Sequence, residues 1–354
     1  MKIPENDSIL EHYKENNKKE SAIFIAGLLL LFLTVLYSAT VGSADISPIT
    51  VFYSILSKFM PLANVDEFAN SMIWNLRLPR IILGVIAGAG FAIAGSSMQG
   101  ITRNPLVSPF TIGISAAAAF GASLSIYFGI SHLAGGYIIV LFAFIAALAC
   151  AAVVFKLASL KQMTVSSIIL SGIALNYFFS ALTSTLHFSA DEQQLAVMVH
   201  WTFGSLSNIA WGDIQFIAIV FAICTPILLK KSWDITSISI LGDDTAKTMG
   251  INTKNTRKIV FLISTFLTSA IVCFTGIIGF VCLVAPHITR YLIGGDYRKV
   301  LPFSCVIGAL LLLLADTFGR TIFSPVIIPV GIVLSFVGVP LFIILMIKNS
   351  EEYW

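Results

Sequence analysis

The chain has 354 residues, of which 57% are hydrophobic and only 11% are charged, and its mean hydropathy is +0.93. A soluble protein carries about 25% charged residues, so this composition excludes a soluble fold of this size. The formal net charge of +3 says little by itself. In a membrane protein, the positions of Lys and Arg relative to the spans matter more than their total.

Apolar runs that are long enough to cross a bilayer, about 20 residues each, recur along the whole chain. The first run, 22–41, follows a polar leader over 1–20. A cleaved signal peptide is the alternative, but the leader is longer and more acidic than such signals. The other predicted spans are 80–100, 109–128, 137–155, 164–186, 212–229, 258–276, 279–293, 301–318 and 326–347. The sequence therefore predicts an all-α integral membrane protein with about ten spans, a single domain over 21–348 and a tail over 349–354.

The basic residues predict that both termini lie in the cytoplasm. With the N-terminus there, all but four of the 21 Lys and Arg residues fall on the cytoplasmic side. The four on the outside are Lys58, Arg77, Arg80 and Arg320. This asymmetry follows the positive-inside rule, and an even number of spans returns the chain to the same side.

Small residues and cysteines within the spans predict packing rather than chemistry. Glycines such as Gly88 and Gly95 let helix backbones approach closely. The five cysteines lie in apolar stretches, without CxxC pairs or histidines at zinc spacing. We therefore expect small buried side chains there, not disulfides or a metal site.

No energy-converting site is recognisable in the chain. It has no G-x-x-x-x-G-K-[ST] loop for ATP, and its spans hold few ionisable residues of the kind that ion-driven carriers use. Asp213 and Asp316 lie near span ends, and Asp316 can pair with Arg320 four residues later. His287, after Pro286, is expected to pack or cap a helix rather than bind a ligand. Uphill transport by this chain would therefore need energy from a partner protein. The alternative functions are an ion-driven secondary carrier and a membrane scaffold that transports no cargo.

The largest hydrophilic stretch after the leader is the loop 230–258. Gly242 and Gly250 are turn or capping positions, and Asp243 and Asp244 favour a helix start, so we expect two short helices broken at glycine. The residues expected to form an apolar face are Ile240, Leu241, Ala246 and Met249. A solvated loop and a docking surface for a peripheral protein are both compatible with this pattern.

Several motifs in this chain occur together in a characteristic order. They are the loop 239–251, Gly276-Ile277-Ile278-Gly279-Phe280-Val281, Ala285-Pro286-His287-Ile288-Thr289-Arg290, Arg77-Leu78-Pro79-Arg80, Gly95 with Met98-Gln99, Arg103-Asn104-Pro105-Leu106, Pro329-Val330-Gly331 and Gly338-Val339-Pro340. With them, the chain from about 70 to 347 resembles the permease family of ABC importers for iron-siderophores, haem and vitamin B12 (FecCD type). It departs from the family pattern at Ala116, Cys282 and Ile327, where Gly, Gly and an acidic residue are common.

The resemblance implies a vitamin B12 permease-like (type II ABC importer) fold and a set of partners. These are a second permease, identical or related, two cytoplasmic ATPase subunits that use ATP and Mg²⁺, and an external substrate-binding protein. The chain itself would bind no cofactor or metal, catalyse nothing and contact no nucleic acid. An iron(III)-siderophore is the favoured cargo, with haem, cobalamin and an oxyanion as alternatives.

The resemblance also assigns roles to residues. The coupling loop, which docks into the ATPase, would include Leu241, Gly242, Asp243, Ala246, Met249 and Gly250. Arg77, Arg80 and Arg320 match positions that face carboxylates of the binding protein, with snorkelling at the membrane interface as the alternative. The expected translocation-path or packing residues are Gln99, Asn104, Pro105, Gly279, Pro286, His287, Gly331 and Pro340.

Overall fold

The computed structural model describes residues 6–42, 46–58, 66–207 and 209–348. The regular secondary structure of these ranges is helical, without a strand, as predicted. The α-helices are α1 Asn6–Thr40, α2 Pro48–Ser57, α3 Glu67–Met72, α4 Leu78–Thr102, α5 Ile114–Tyr127, α6 Tyr137–Leu160, α7 Val165–Ser189, α8 Glu192–Thr202, α9 Trp211–Lys230, α10 Ser232–Thr248, α11 Thr253–Thr275, α12 Val281–Ile293, α13 Tyr297–Thr321 and α14 Val330–Lys348. A π-helical segment, Ile73–Arg77, joins α3 to α4.

Seven helical segments of the described chain are long and apolar enough to cross a membrane. They are Asn17–Thr40, Glu67–Thr102, Leu133–Leu160, Val165–Ser189, Trp211–Lys230, Thr253–Thr275 and Tyr297–Thr321. The other three predicted spans coincide with the shorter apolar helices α5, α12 and α14. The span predicted from 109 becomes helical only at Ile114, because the preceding chain turns at Arg103 and Gly113, which have positive φ.

The first span is longer than its apolar sequence indicates. α1 begins at Asn6, so most of the polar leader continues the helix of the span. Lys299 of α13 forms an ion pair with Glu20, and the rings of Phe24 and Phe303 lie 4.7 Å apart, which fastens α1 to α13. Residues 1–5 of the leader and the predicted tail 349–354 lie outside the described residues.

α4 is the central helix of the bundle and packs against α13, α11, α12 and α9. A Cβ on Gly88 would overlap the backbone of Gly308 in α13, and a Cβ on Gly95 would overlap the backbone of Cys282 in α12. The close packing predicted from these glycines is confirmed, because only a residue without a side chain fits either crossing.

The non-helical segments that follow α8 and α11 meet the first turn of α14. Their contact points are Gly204, Gly276 and Gly331, and a Cβ on any of them would overlap the main chain of a neighbouring segment. The N–H of Ser205 donates to the carbonyl of Thr275 at 2.7 Å. Irregular backbone is tolerated inside a membrane protein where the protein itself buries and bonds it. Gly331 therefore serves packing at this junction.

The cysteines behave as small apolar side chains. Cys150, Cys224, Cys273 and Cys282 are buried, Cys305 is partly buried, and all five are free thiols. Among the described residues, no group of three or more His, Cys, Asp or Glu side chains is placed to hold a metal ion.

Candidate functional site

The first candidate site, here named the arginine cluster, consists of Arg77, Arg80, Asp316 and Arg320. It lies where α4 begins and α13 ends. The three arginines are only 5%, 8% and 6% exposed, respectively, and Asp316 is 1% exposed. The arginines line a depression of about 190 Å³ that is open to the surface.

Asp316 is held by two arginines. Arg80 Nε donates to both carboxylate oxygens, at 2.8 and 3.0 Å, and its Nη2 lies 2.7 Å from Oδ1. The remaining Nη1 of Arg80 donates to the Ser207 hydroxyl at 2.9 Å. Arg320 Nε lies 3.1 Å from Asp316 Oδ2, which confirms the predicted pair four residues apart on α13.

Arg77 and Arg320 also cap the end of α1. Arg77 Nη1 donates to the carbonyls of Ala39 and Thr40, at 2.6 and 2.8 Å. Arg320 Nη2 donates to the carbonyl of Ser38 at 3.2 Å. The last carbonyls of a helix have no hydrogen-bond partner within it and carry a partial negative charge. A guanidinium group at this end supplies both the missing donors and a favourable positive charge.

The structure buries the three arginines. They are neither free surface charges nor snorkelling anchors, because each is buried and bonded to groups of the same chain. Three guanidinium groups and one carboxylate nevertheless leave a formal charge of +2 at the depression. Ile327, at the position where the family often has an acid, lines the same depression and adds no negative charge.

The second candidate site is the coupling loop, at the opposite end of α4. Gly242 breaks α10 into two parts with φ 81° and ψ 172°, which confirms the two short helices predicted there. Gly250, with φ 83°, follows the second part. Exposed apolar side chains flank the break: Ile240 is 58% exposed, Leu241 45% and Met249 51%.

Two predicted loop residues face inward instead. Ala246 is fully buried, so its expected place on the exposed apolar face is wrong. Asp243 accepts hydrogen bonds from Nη1 and Nη2 of Arg257, both at 2.6 Å. Sequence reasoning missed Arg257, which was counted only as one of the cytoplasmic charges.

The first part of α10 is fastened separately to α11 and α13. Asp234 pairs with Lys231 at 2.9 Å and accepts a hydrogen bond from the Thr256 hydroxyl at 2.9 Å. The N–H of Tyr297 donates to the Thr236 hydroxyl at 2.9 Å. The coupling loop is thus an ordered part of the bundle rather than a solvated connection.

Gln99 and Pro286 are distant in sequence but form one contact. Pro286 has no N–H to bond the carbonyl of Cys282, four residues earlier in α12. Gln99 Nε2 of α4 donates to that carbonyl at 3.2 Å. His287 lies beside them, with Nδ1 2.7 Å from the Leu283 carbonyl and its ring 5.2 Å from that of Phe342. These residues pack α12 against its neighbours.

The remaining predicted path residues do not converge on one pocket. Asn104 Oδ1 accepts a hydrogen bond from the N–H of Leu106 at 2.9 Å, in the turn after α4 that contains Pro105. Gly279 precedes α12, where its carbonyl accepts a hydrogen bond from Val281 N–H at 2.9 Å. Pro340 lies on an exposed part of α14. They are distributed along the bundle.

A third feature, the α7 face, was not predicted. It is an exposed stripe with helical spacing that contains Ser166, Leu170, Tyr177, Ser180 and Ser184. The hydroxyl side chains of Tyr177, Ser180 and Ser184 follow one another on it, while the apolar Leu170 and Ile173 are exposed on the same side. The exposed stripe of α1, by contrast, includes the apolar side chains of Leu29, Phe32, Leu33 and Leu36. The spacing of Tyr177, Ser180 and Ser184, three and four residues apart, is the signal that could have identified the α7 face.

Comparisons with known proteins agree with this architecture. The model of the FecCD transport family matches residues 29–348. A protein of Methanocaldococcus jannaschii, described as an ABC transporter permease, is 42% identical over 97% of this chain and 99% of its own length. A solved structure of a metal-chelate type ABC transporter in an inward-facing conformation has a TM-score of 0.81, at 33% identity, covering 93% of this chain and 99% of the other.

Two further relatives are named for different substrates, although each is 34% identical to this chain. A hemin transport permease of Yersinia pestis is 34% identical over 92% of this chain and 96% of its own length. A molybdate import permease of Haemophilus influenzae is 34% identical over 90% of this chain and 94% of its own length. Overall similarity therefore does not select between these two substrates.

Proposed function

Because the chain belongs to the FecCD transport family, whose ABC importer permeases it resembles across nearly its whole length, we propose that it carries an iron(III)-siderophore across the cell membrane in an ATP-driven importer. The chain is the transmembrane subunit. A separate ATPase hydrolyses ATP with Mg²⁺, and an external binding protein delivers the cargo. The chain itself binds neither a cofactor nor a metal, and both its termini lie in the cytoplasm.

The α7 face supports the part of this proposal that concerns the transport path. Hydrocarbon chains of lipid offer no hydrogen-bond partners, so hydroxyls that follow one another on an exposed span favour contact with protein or water. Tyr177 is 73% exposed, and Ser180 and Ser184 follow it on the same stripe. A second permease, identical or related, placed opposite this stripe would enclose a polar path between the two subunits.

The coupling loop supplies the contact with the ATPase. Leu241 and Met249 are exposed and lie outside the main membrane-spanning helices, so a peripheral protein is a suitable cover for them. Gly242 and Gly250 give the loop its shape, while Asp243 and Ala246 hold it to the bundle. Two cytoplasmic ATPases, one for each permease, complete the assembly.

The arginine cluster supports delivery from the other side of the membrane. Its formal charge of +2 attracts acidic side chains of a binding protein over a distance, which favours correct orientation more than tight binding. Arg77, Arg80 and Arg320 act through this field and through the shape that they give to the depression, since their donors are engaged within the chain.

The choice of cargo is tested by an uptake panel. Proteoliposomes that contain this chain, its ATPase and its binding protein are supplied with labelled ferric siderophore, haem, cobalamin or molybdate. We expect ATP-dependent uptake of the ferric siderophore and little of the others. Selective molybdate uptake would contradict the proposal and favour an oxyanion importer, the second candidate, which the relative of Haemophilus influenzae supports.

A further inference from the structure

Arg257 joins three helices through one guanidinium group. It lies near the start of α11 and is 6% exposed. Its Nε donates to the carbonyl of Ile101 in α4 at 3.0 Å, and its Nη1 and Nη2 donate to the carboxylate of Asp243 in α10. The planar guanidinium holds these donors in a fixed fork, so the positions of its two partners are set relative to α11.

The carbonyl of Ile101 is available because α4 ends there. Its helical donor would be the residue four positions later, which is Pro105 and has no N–H. The N–H of Asn104, the residue before Pro105, bonds to the carbonyl of Gln99 at 3.3 Å and not to that of Ile101. Arg257 therefore supplies a donor that the sequence of α4 itself lacks, and it places a cation at the negative end of that helix.

The carboxylate of Asp243 is the coupling loop's side of this contact. Asp243 immediately follows the break at Gly242, beside the exposed side chain of Leu241. Arg103, the residue that ends α4, also reaches the break, since a Cβ on Gly242 would lie 3.1 Å from its Nη1. The break in the coupling loop is thus clamped directly to the end of α4.

α4 is a continuous helix that connects the two candidate sites. It runs for 25 residues from the arginine cluster, where Arg80 binds Asp316, to Ile101 and Arg257. We propose that Arg257 is a positioning residue of transport, which passes displacement of the coupling loop to α4 and α11. This inference rests on the proposed function, in which an ATPase moves that loop.

A purely structural role for Arg257 makes a different prediction. A fold-holding contact would, on removal, lower thermal stability and the yield of complex while leaving the cargo moved per ATP unchanged. A transmitting contact would, on removal, leave the ATPase docked and active but reduce the cargo moved per ATP. The two roles are separated by measuring hydrolysis and uptake in the same proteoliposomes.

The experiment compares Asp243→Asn and Arg257→Lys with the wild-type chain, each in complex with the ATPase and the binding protein. Asn keeps the size of the side chain but loses its charge. Lys keeps the charge but cannot bond the carbonyl of Ile101 and both carboxylate oxygens of Asp243 at the same time. We expect both complexes to copurify and hydrolyse ATP, with cargo uptake per ATP reduced about 5-fold or more, as for typical coupling between sites.

Lys254→Gln is the matched control, since it removes an exposed charge three residues before Arg257 on α11 and should retain the wild-type ratio. A wild-type ratio in both clamp variants would overturn the inference, as would loss of ATPase copurification in Asp243→Asn. If Arg257→Lys does not accumulate in the membrane, Asp243→Asn decides alone. A wild-type complex that neither hydrolyses ATP nor takes up cargo would instead refute the proposed function.

Discussion

Asp316 balances the charge of two arginines within the membrane domain. It is the shared partner of Arg80 and Arg320, which lie on different helices, and its side chain is fully buried. Taking one partner away from a buried ion pair leaves an uncompensated charge, which costs more than the pair itself contributes. The pairing with Arg320 was predictable from their spacing, whereas the contact with Arg80, 236 residues away, was not.

We predict that Asp316→Asn destabilises the protein by about 3–5 kcal/mol, because two buried guanidinium groups then face each other without a carboxylate. Thermal unfolding of the purified protein in detergent measures this as a lower Tm. Asp244→Asn is the control, since the Asp244 side chain is 98% exposed and contributes little. Equal Tm values for the two variants would contradict the structural role of Asp316.

Gln99 and Pro286 should be coupled energetically. Gln99→Leu leaves the carbonyl of Cys282 without a donor, at a cost of about 1–3 kcal/mol. Pro286→Ala restores an N–H in α12 that can bond this carbonyl, so Gln99→Leu should cost on the order of 1 kcal/mol less in that background. A double-mutant cycle of unfolding free energies measures the difference. Strictly additive effects would show that the bond from Gln99 does not replace the one missing at Pro286.

Ile327→Glu tests the field of the arginine cluster. A carboxylate in the depression would reduce its formal charge from +2 to +1, and we expect several-fold weaker binding of the loaded binding protein at low salt, with a smaller effect at high salt. Binding is measured with the permease in nanodiscs. Ile322→Glu is the control, because Ile322 is 47% exposed nearby but does not line the depression. Equal weakening by both variants would exclude a specific role for the depression.

At the scale of helices, the long apolar runs were predictable and the short helices were not. α2, α3 and α8 have 10, 6 and 11 residues, which is too few for a span, so a search for long apolar runs does not find them. The residues that cap their N-termini are signals that could have located these helices. They are Ser47 before Pro48, Asp66 before α3, and the capping box of Asp191 with Gln194.

The α7 face predicts which span meets the second permease. A single cysteine at Ser180 or Ser184 should form a disulfide between two copies under oxidation, because this stripe faces the partner in the proposed assembly. Non-reducing gels of membranes would then show a crosslinked dimer. Leu29→Cys, on the apolar stripe of α1, is the control and should remain monomeric. Crosslinking through α1 but not through α7 would contradict this prediction, because the second copy would then lie against α1.

At the scale of the whole molecule, α4 relates the two candidate sites. The sequence indicated two separate groups, three arginines near one side and a loop near the other, but it contained no information on how they connect. The connection depends on long-range contacts: Arg80 with Asp316, Ile101 with Arg257, and Arg257 with Asp243. Such contacts arise from helix packing around α4, which local patterns of hydropathy and charge do not encode.

The central claim is that transport through this chain is powered by a partner ATPase. The most direct test compares two sets of proteoliposomes: one with the complete complex and enclosed ATP, the other with this chain alone under an imposed proton or sodium gradient. Uptake of labelled ferric siderophore, haem, cobalamin and molybdate is measured in both. We predict uptake of one cargo in the first set and none in the second. Gradient-driven uptake by the chain alone would contradict the account and identify an ion-driven carrier.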